Sequence, residues 1–135
     1  MPRDFDLKER TMKFAVDVAA FCETLPQTYR GRHVQGQLFR AGSGSAANYR
    51  AACRRKSTAD FISKIGTAIE ETDESDFWLE FSVASGLTPA KKVTALRQEA
   101  GELLAIFIAS RQTARANLKG RKSESPNAVS FTVAD

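Results

Sequence analysis

Residues 37–81, QLFRAGSGSAANYRAACRRKSTADFISKIGTAIEETDESDFWLEF, decide the fold. Their apolar residues recur at steps of three and four instead of alternating, the pattern of helices packed along one face. In the second half, Phe61, Ile62, Ile65, Ala68, Ile69, Thr72, Leu79 and Val83 form one inner stripe. Ser57 with Asp60 three residues on resembles a capping box, so this third helix starts there, and Gly86 ends it. In the first half, Leu38, Ala41, Ser45, Asn48, Tyr49 and Ala52 fall on one side of a wheel drawn at about 100° per residue. They define a second helix over residues 34–55. Gly42 and Gly44 lie inside it, and each costs a helix about 1 kcal/mol relative to Ala. Such glycines are retained where another backbone passes close by.

Outward from this stretch the same periodicity continues. Leu7, Phe14, Val18, Phe21, Cys22 and Leu25 give a first helix over residues 6–24, closed before Pro26 and followed by the connector PQTYRGRH. Downstream, Thr88 has the chemistry of an N-cap and Pro89 that of a first helical residue. The fourth helix then carries Val93, Leu96, Ala100, Leu103, Phe107, Ser110 and Ala114 to about residue 119. No segment alternates like a strand. Four long helices with short connections predict an all-α, antiparallel up-and-down four-helix bundle over residues 1–119. Residues 120–135 are polar and aperiodic, which predicts a flexible C-terminal tail. A length of 135 residues with 42% apolar content suits one domain with one core.

Two cysteines, Cys22 and Cys53, sit in unrelated contexts, and the charged start MPRDFDLKER does not read as a signal peptide. Free thiols and a cytoplasmic location are expected. No window approaches the roughly 18 apolar residues of a membrane span, so no membrane partner is expected.

The formal charge of +4 conceals strong segregation. Residues 26–57 carry seven basic and no acidic side chains, whereas residues 58–87 carry one basic and seven acidic. Arg40, Arg50 and Arg54 lie opposite the inner side of helix two. They suit ion pairs with Glu70, Glu71 and Glu74, or else a surface whose planar guanidinium forks take phosphates. Asn48 and Asp76 project into the apolar stripes of their helices, where a polar group needs a hydrogen bond. Together with Arg40, Glu71 and Glu74 they form the expected structural polar network. Arg111, Arg115 and Lys119 recur every four residues, followed by Arg121 and Lys122, with no acid between Glu102 and Glu124. This stripe and the loop cluster Arg54, Arg55 and Lys56 are the expected nucleic-acid-binding residues, unless they serve only helix-dipole complementation and solubility.

Catalytic chemistry finds no support in the residue pattern. The single histidine, His33, lies in a loop and no Glu-x-x-His pair accompanies it, against the two-carboxylate and histidine sets of di-iron bundles. The acids of helix three spread around it instead of converging, and AGSGSA lacks the spacing of a phosphate-cradling loop. No Ser or Cys has a recognisable His and acid partner. No catalytic residue, metal ligand or cofactor is expected. Phe77, Trp78, Phe81, Ile106 and Ile108 lie outside the inner stripes, so either wide faces bury them in one bundle or a homo-oligomer covers them.

Residues 37–81 also resemble the signature region of the 23S ribosomal RNA intervening-sequence proteins, over a similarity running from about residue 5 to 118. The matching positions are Arg40, Ser45, Asn48, Arg54, Ser57, Phe61 and the group Glu70, Glu71 and Glu74. The sequence departs at residues 49–52, Tyr-Arg-Ala-Ala, where many relatives read Ile-Ala-Glu-Gly, which leaves any role of that Glu and Gly unfilled here. The resemblance implies an up-and-down bundle, frequently assembled as a ring-like pentamer. The fold is also similar to the accessory bundle protein of diversity-generating retroelements, a basic pentamer that engages reverse transcriptase and nucleic acid. The combined expectation is a non-catalytic oligomeric module binding RNA, DNA or a nucleic-acid enzyme such as a reverse transcriptase. The alternatives are a protein-interaction scaffold whose charges serve assembly alone, and a metal-dependent enzyme using the acids of helix three.

Overall fold

The computed structural model describes residues 4–124, with side chains over residues 7–120. Four helices, α1 (Asp4–Cys22), α2 (Tyr29–Cys53), α3 (Thr58–Ala84) and α4 (Thr94–Glu124), form an all-α bundle in which each packs on the next. α1 and α4 share the shortest seam. At 1.5 Å per residue, α3 and α4 are each about 40 Å long or more.

The boundaries follow local chemistry. Ser57 accepts the amide of Asp60 at 3.0 Å, and Asp60 in turn accepts the amide of Lys56 at 3.0 Å. This is a capping box displaced by one residue. The Lys64 ammonium and then the Lys56 amide hold the Asp60 carboxyl below its usual range. At the other end of α3, Gly86 adopts φ +79° while its amide reaches Val83 O and the Leu87 amide reaches Ser82 O. Those two bonds are a Schellman motif, which only a residue at ease with positive φ closes without strain.

Three expected boundaries move. α2 begins at Tyr29, five residues before the expected start, because Thr28 caps it through the Gly31 amide at 3.1 Å. Gly31 is required there, since a Cβ would stand 1.8 Å from Pro26 O. Thr88 and Pro89 do not open α4. Pro89 precedes a single 3-10 turn, Ala90–Lys92, whose i to i+3 bonds carry buried Val93 into the core before α4 begins at Thr94. α4 also continues through Glu124, so the helix overruns residue 120, where the tail was expected to begin. Residues 125–135 lie outside the described residues.

Phe14, Val18, Leu38, Ile65, Leu79, Leu103 and Phe107 form the centre of the core. Tyr49 is buried and stacks on Phe107 at 5.2 Å and 14°. Gly42 and Gly44 do have close neighbours, but these are side chains of α1 and α3 and not the passing backbone that their positions implied. A Cβ on Gly42 would lie 2.7 Å from Val18 Cγ1 of α1, and one on Gly44 would lie 3.0 Å from Glu71 Oε1 of α3.

Candidate nucleic-acid interface

The chain reverses between α2 and α3 at Arg54–Lys56, at the end of the bundle where the last turns of α4 also stand. This places the loop cluster and the α4 stripe at one end, although the individual side chains part company. Arg55 lies over the Phe61 ring, 5.1 Å from its centroid, and rims a groove of about 510 Å³ between α3 and α4. Ile106, Ala109, Thr113 and Asn117 of α4 line that groove. Lys56 is exposed beside it. Arg54 faces the opposite way, into a groove of about 240 Å³ between α1 and α2 that it shares with Lys8, Met12 and Arg50.

On α4, Arg115 and Lys119 are exposed, and neither forms an ion pair or hydrogen bond among the described residues. Successive members of this stripe stand about 6 Å apart along the axis. Arg111 behaves differently. It is half-buried over α3, with a guanidinium nitrogen 4.0 Å from where a Gly66 Cβ would stand and its Nε buried without a partner. Arg121 and Lys122 stand on the helix, but their side chains lie outside the described residues.

The expected polar network divides. Arg40 reaches Glu71 at 3.3 Å and also Glu74, whose carboxylate accepts the Trp78 indole N–H at 3.1 Å. Asn48 does not join them. It is half-buried and donates to Gly44 O of its own helix at 2.9 Å. Asp76 also leaves the network, accepting two bonds from Arg97 of α4 at 2.8 and 3.1 Å. Those bonds raise the Arg97 pKa above its ordinary value. Neither Asn48 nor Asp76 is in the core, because the inner positions adjacent to each are taken by Tyr49 and Ser75. The buried polar pair is instead Ser45 and Thr72, whose hydroxyls meet at 2.6 Å while Thr72 also donates to Ala68 O at 2.7 Å.

Two further contacts have no counterpart in the sequence pattern. Arg10 of α1 donates to Glu99 at 2.6 and 3.0 Å and to Glu102 at 3.0 Å, closing the α1–α4 seam. His33, expected in a loop, lies in the first turns of α2 because that helix starts early, and it stands edge-on to Trp78 at 5.5 Å. Partners so far apart in the chain leave no periodic trace, so neither contact has a local signal. Among the described residues no three His, Cys, Asp or Glu side chains converge where a metal ion could be held, and no helix is long and apolar enough to cross a membrane.

The family model of the 23S rRNA-intervening sequence protein matches residues 3–109, most of the bundle. The chain belongs to that family. A solved structure from Bacteroides thetaiotaomicron VPI-5482, a protein with unknown function from the S23 ribosomal protein family, is similar to it with a TM-score of 0.75 and 25% identity. The similarity covers 81% of this chain and 97% of the Bacteroides chain. No curated protein matches. The 23S rRNA-intervening sequence match ends at residue 109, short of the expected 118. Arg111, Arg115 and Lys119 therefore stand beyond it.

Proposed function

We propose that this protein is a non-catalytic, oligomeric bundle that binds RNA or DNA through the basic end formed by Arg55, Lys56, Arg115 and Lys119. The observation that carries the reading is the exposure of Arg115 and Lys119 on successive turns without an acid to neutralise them among the described residues. Arg10, Arg40 and Arg97 differ in this respect, since each is spent on carboxylates of its own chain. Cations without internal partners attract phosphates and release the counterions that screen them. Phe61, behind Arg55, adds an apolar wall on which a base or sugar can rest. A nucleic-acid enzyme such as a reverse transcriptase, carrying its own bound strand, is a partner of matching charge. The stripe lies outside the family match, so this reading rests on residues of this chain. A cytoplasmic site of action accords with two free thiols, and a ring of five accords with the habit of the family.

A second reading, a scaffold without nucleic acid, draws support from the exposed apolar side chains Met12, Val16, Phe39 and Phe77. Fluorescence anisotropy with labelled generic RNA and DNA separates the two. The first reading requires binding at low salt that weakens steeply as salt rises. Absence of binding at about 50 mM salt overturns it and leaves the scaffold.

A further inference from the structure

Two outer faces of the bundle carry exposed apolar side chains, the first mainly basic, with Glu23 beside Arg32 and Phe39 as an exception, and the second acidic. The first spans α1 and α2. Met12 and Val16 are 51% and 58% exposed there and Phe39 is 54% exposed. Arg50 and Arg54 border these side chains, exposed and without an ion pair among the described residues. The second runs along α3, where Phe77 is 50% exposed, meets Trp78 edge-on at 4.9 Å and stacks on Phe81 at 6.0 Å. On the same face, at steps of three and four, stand Glu70 and Asp73, both exposed and likewise without a cation among the described residues.

The heights of these groups along the bundle also agree. Ser45 meets Thr72 and Arg40 meets Glu74 across the α2–α3 seam. Counting along the antiparallel helices from those contacts puts Phe39 within one or two residues of the level of Phe77, and Arg50 three to six residues, about 5 to 9 Å, from the level of Glu70. A second copy turned about an axis parallel to the bundle keeps every residue at its height. Such a copy sets its Phe77 against Phe39 and its Glu70 within side-chain reach of Arg50.

We propose that copies of this chain join head to tail, the acidic aromatic face of α3 in one copy docking on the basic apolar face of α1 and α2 in the next. The proposal rests on the reading of the protein as a homo-oligomer and adds which surfaces meet. Because the two faces differ, the contact is heterologous, and repetition about a parallel axis closes a ring. Arg50 and Arg54 then belong to the subunit contact, which keeps Lys56, Arg115 and Lys119 outside it, where a polyanion can reach them. Burying Phe39 against Phe77 also removes the largest exposed apolar groups of both faces from water.

The test is a charge exchange followed by size-exclusion chromatography with light scattering. Arg50→Glu alone and Glu70→Arg alone each place like charges across the contact, and each weakens assembly by about tenfold or more in dissociation constant. Arg50→Glu combined with Glu70→Arg restores opposite charges and with them the wild-type mass. Circular dichroism confirms that every variant keeps its helices, as exposed positions allow. An oligomeric wild type whose mass is unchanged by either single reversal overturns the assignment of faces while leaving the oligomer intact. Loss of assembly that the double exchange does not repair overturns the pairing as well. A monomeric wild type overturns the homo-oligomer reading itself.

Discussion

Replacing Gly42 by Ala probes the closest approach between α1 and α2. The added Cβ would stand 2.7 Å from Val18 Cγ1 and 3.0 Å from Val18 Cβ, whereas ordinary contact begins at 3.4 Å. Val18 has no exposed surface and cannot swing away. Overpacking of this kind costs about 1 to 3 kcal/mol, and the better helix propensity of Ala returns about 1 kcal/mol. The net expectation is a loss of up to about 2 kcal/mol. At roughly 4 °C per kcal/mol for a chain of this size, Tm falls by up to about 8 °C. The same exchange at Gly101 of α4 meets nothing within 4 Å, so only the propensity gain remains and Tm rises by a few degrees. Gly44→Ala falls between them, since its neighbour is the pliable carboxylate end of Glu71. Thermal melts followed by circular dichroism at one protein concentration give the order. Combining Gly42→Ala with Val18→Ala should cost less than the sum of the two. A Gly42→Ala protein as stable as Gly101→Ala would refute the packing of α1 on α2 described above.

Four other outcomes are expected. Thr72→Val keeps the shape of the side chain but strands the buried Ser45 hydroxyl, costing about 1 to 3 kcal/mol in urea unfolding, and adding Ser45→Ala recovers part of that loss. Burial, and secondarily Glu23, pushes the Cys22 thiol up to about 11 from 9.0. The unfolded chain therefore loses this proton first as pH rises, and the stability that the buried thiol contributes, complete below pH 9, is lost between pH 9 and 11 in alkaline melts. Iodoacetamide at about pH 8, read by mass spectrometry, should label half-buried Cys53 well before Cys22, and equal rates would contradict the burial of Cys22. Asp76→Asn weakens both bonds from Arg97 and lowers stability by about 1 kcal/mol, as expected for a partly exposed charged pair.

Periodicity made the helices legible, together with two signals whose chemistry is local: Ser57 with Asp60, and Gly86 with its positive φ. The glycines of α2 were legible for the same reason, because a costly residue in a helix marks a close neighbour. The Thr28 cap was equally local, yet Gly31 in the first turn masks it as a loop. The break at Val93 was hidden differently. Pro89 suits a 3-10 turn as well as the first residue of an α-helix, and only the burial of Val93 decides between them. A helical wheel places a residue within an arc and not at a depth, so it draws Asn48 and Asp76, beside buried Tyr49 and Ser75, into the core when they stand at its edge. Charge segregation pointed to pairs of Arg40, Arg50 and Arg54 with Glu70, Glu71 and Glu74, of which Arg40 meets Glu71 and Glu74 while Arg50, Arg54 and Glu70 form no ion pair among the described residues. It did not reveal that Arg97 takes Asp76, nor that Arg54 and Arg55, adjacent in sequence, turn to opposite faces.

The salt dependence of nucleic-acid affinity for the wild type against Arg115→Gln with Lys119→Gln tests most directly the proposal that the end of α4 binds phosphates. For duplex DNA, removing one cation from a phosphate reduces the slope of log affinity against log salt by about 0.9. Shallower binding by the double variant, with wild-type oligomer mass and helix content retained, is the predicted result. A double variant that binds with the affinity and salt slope of the wild type would contradict the account.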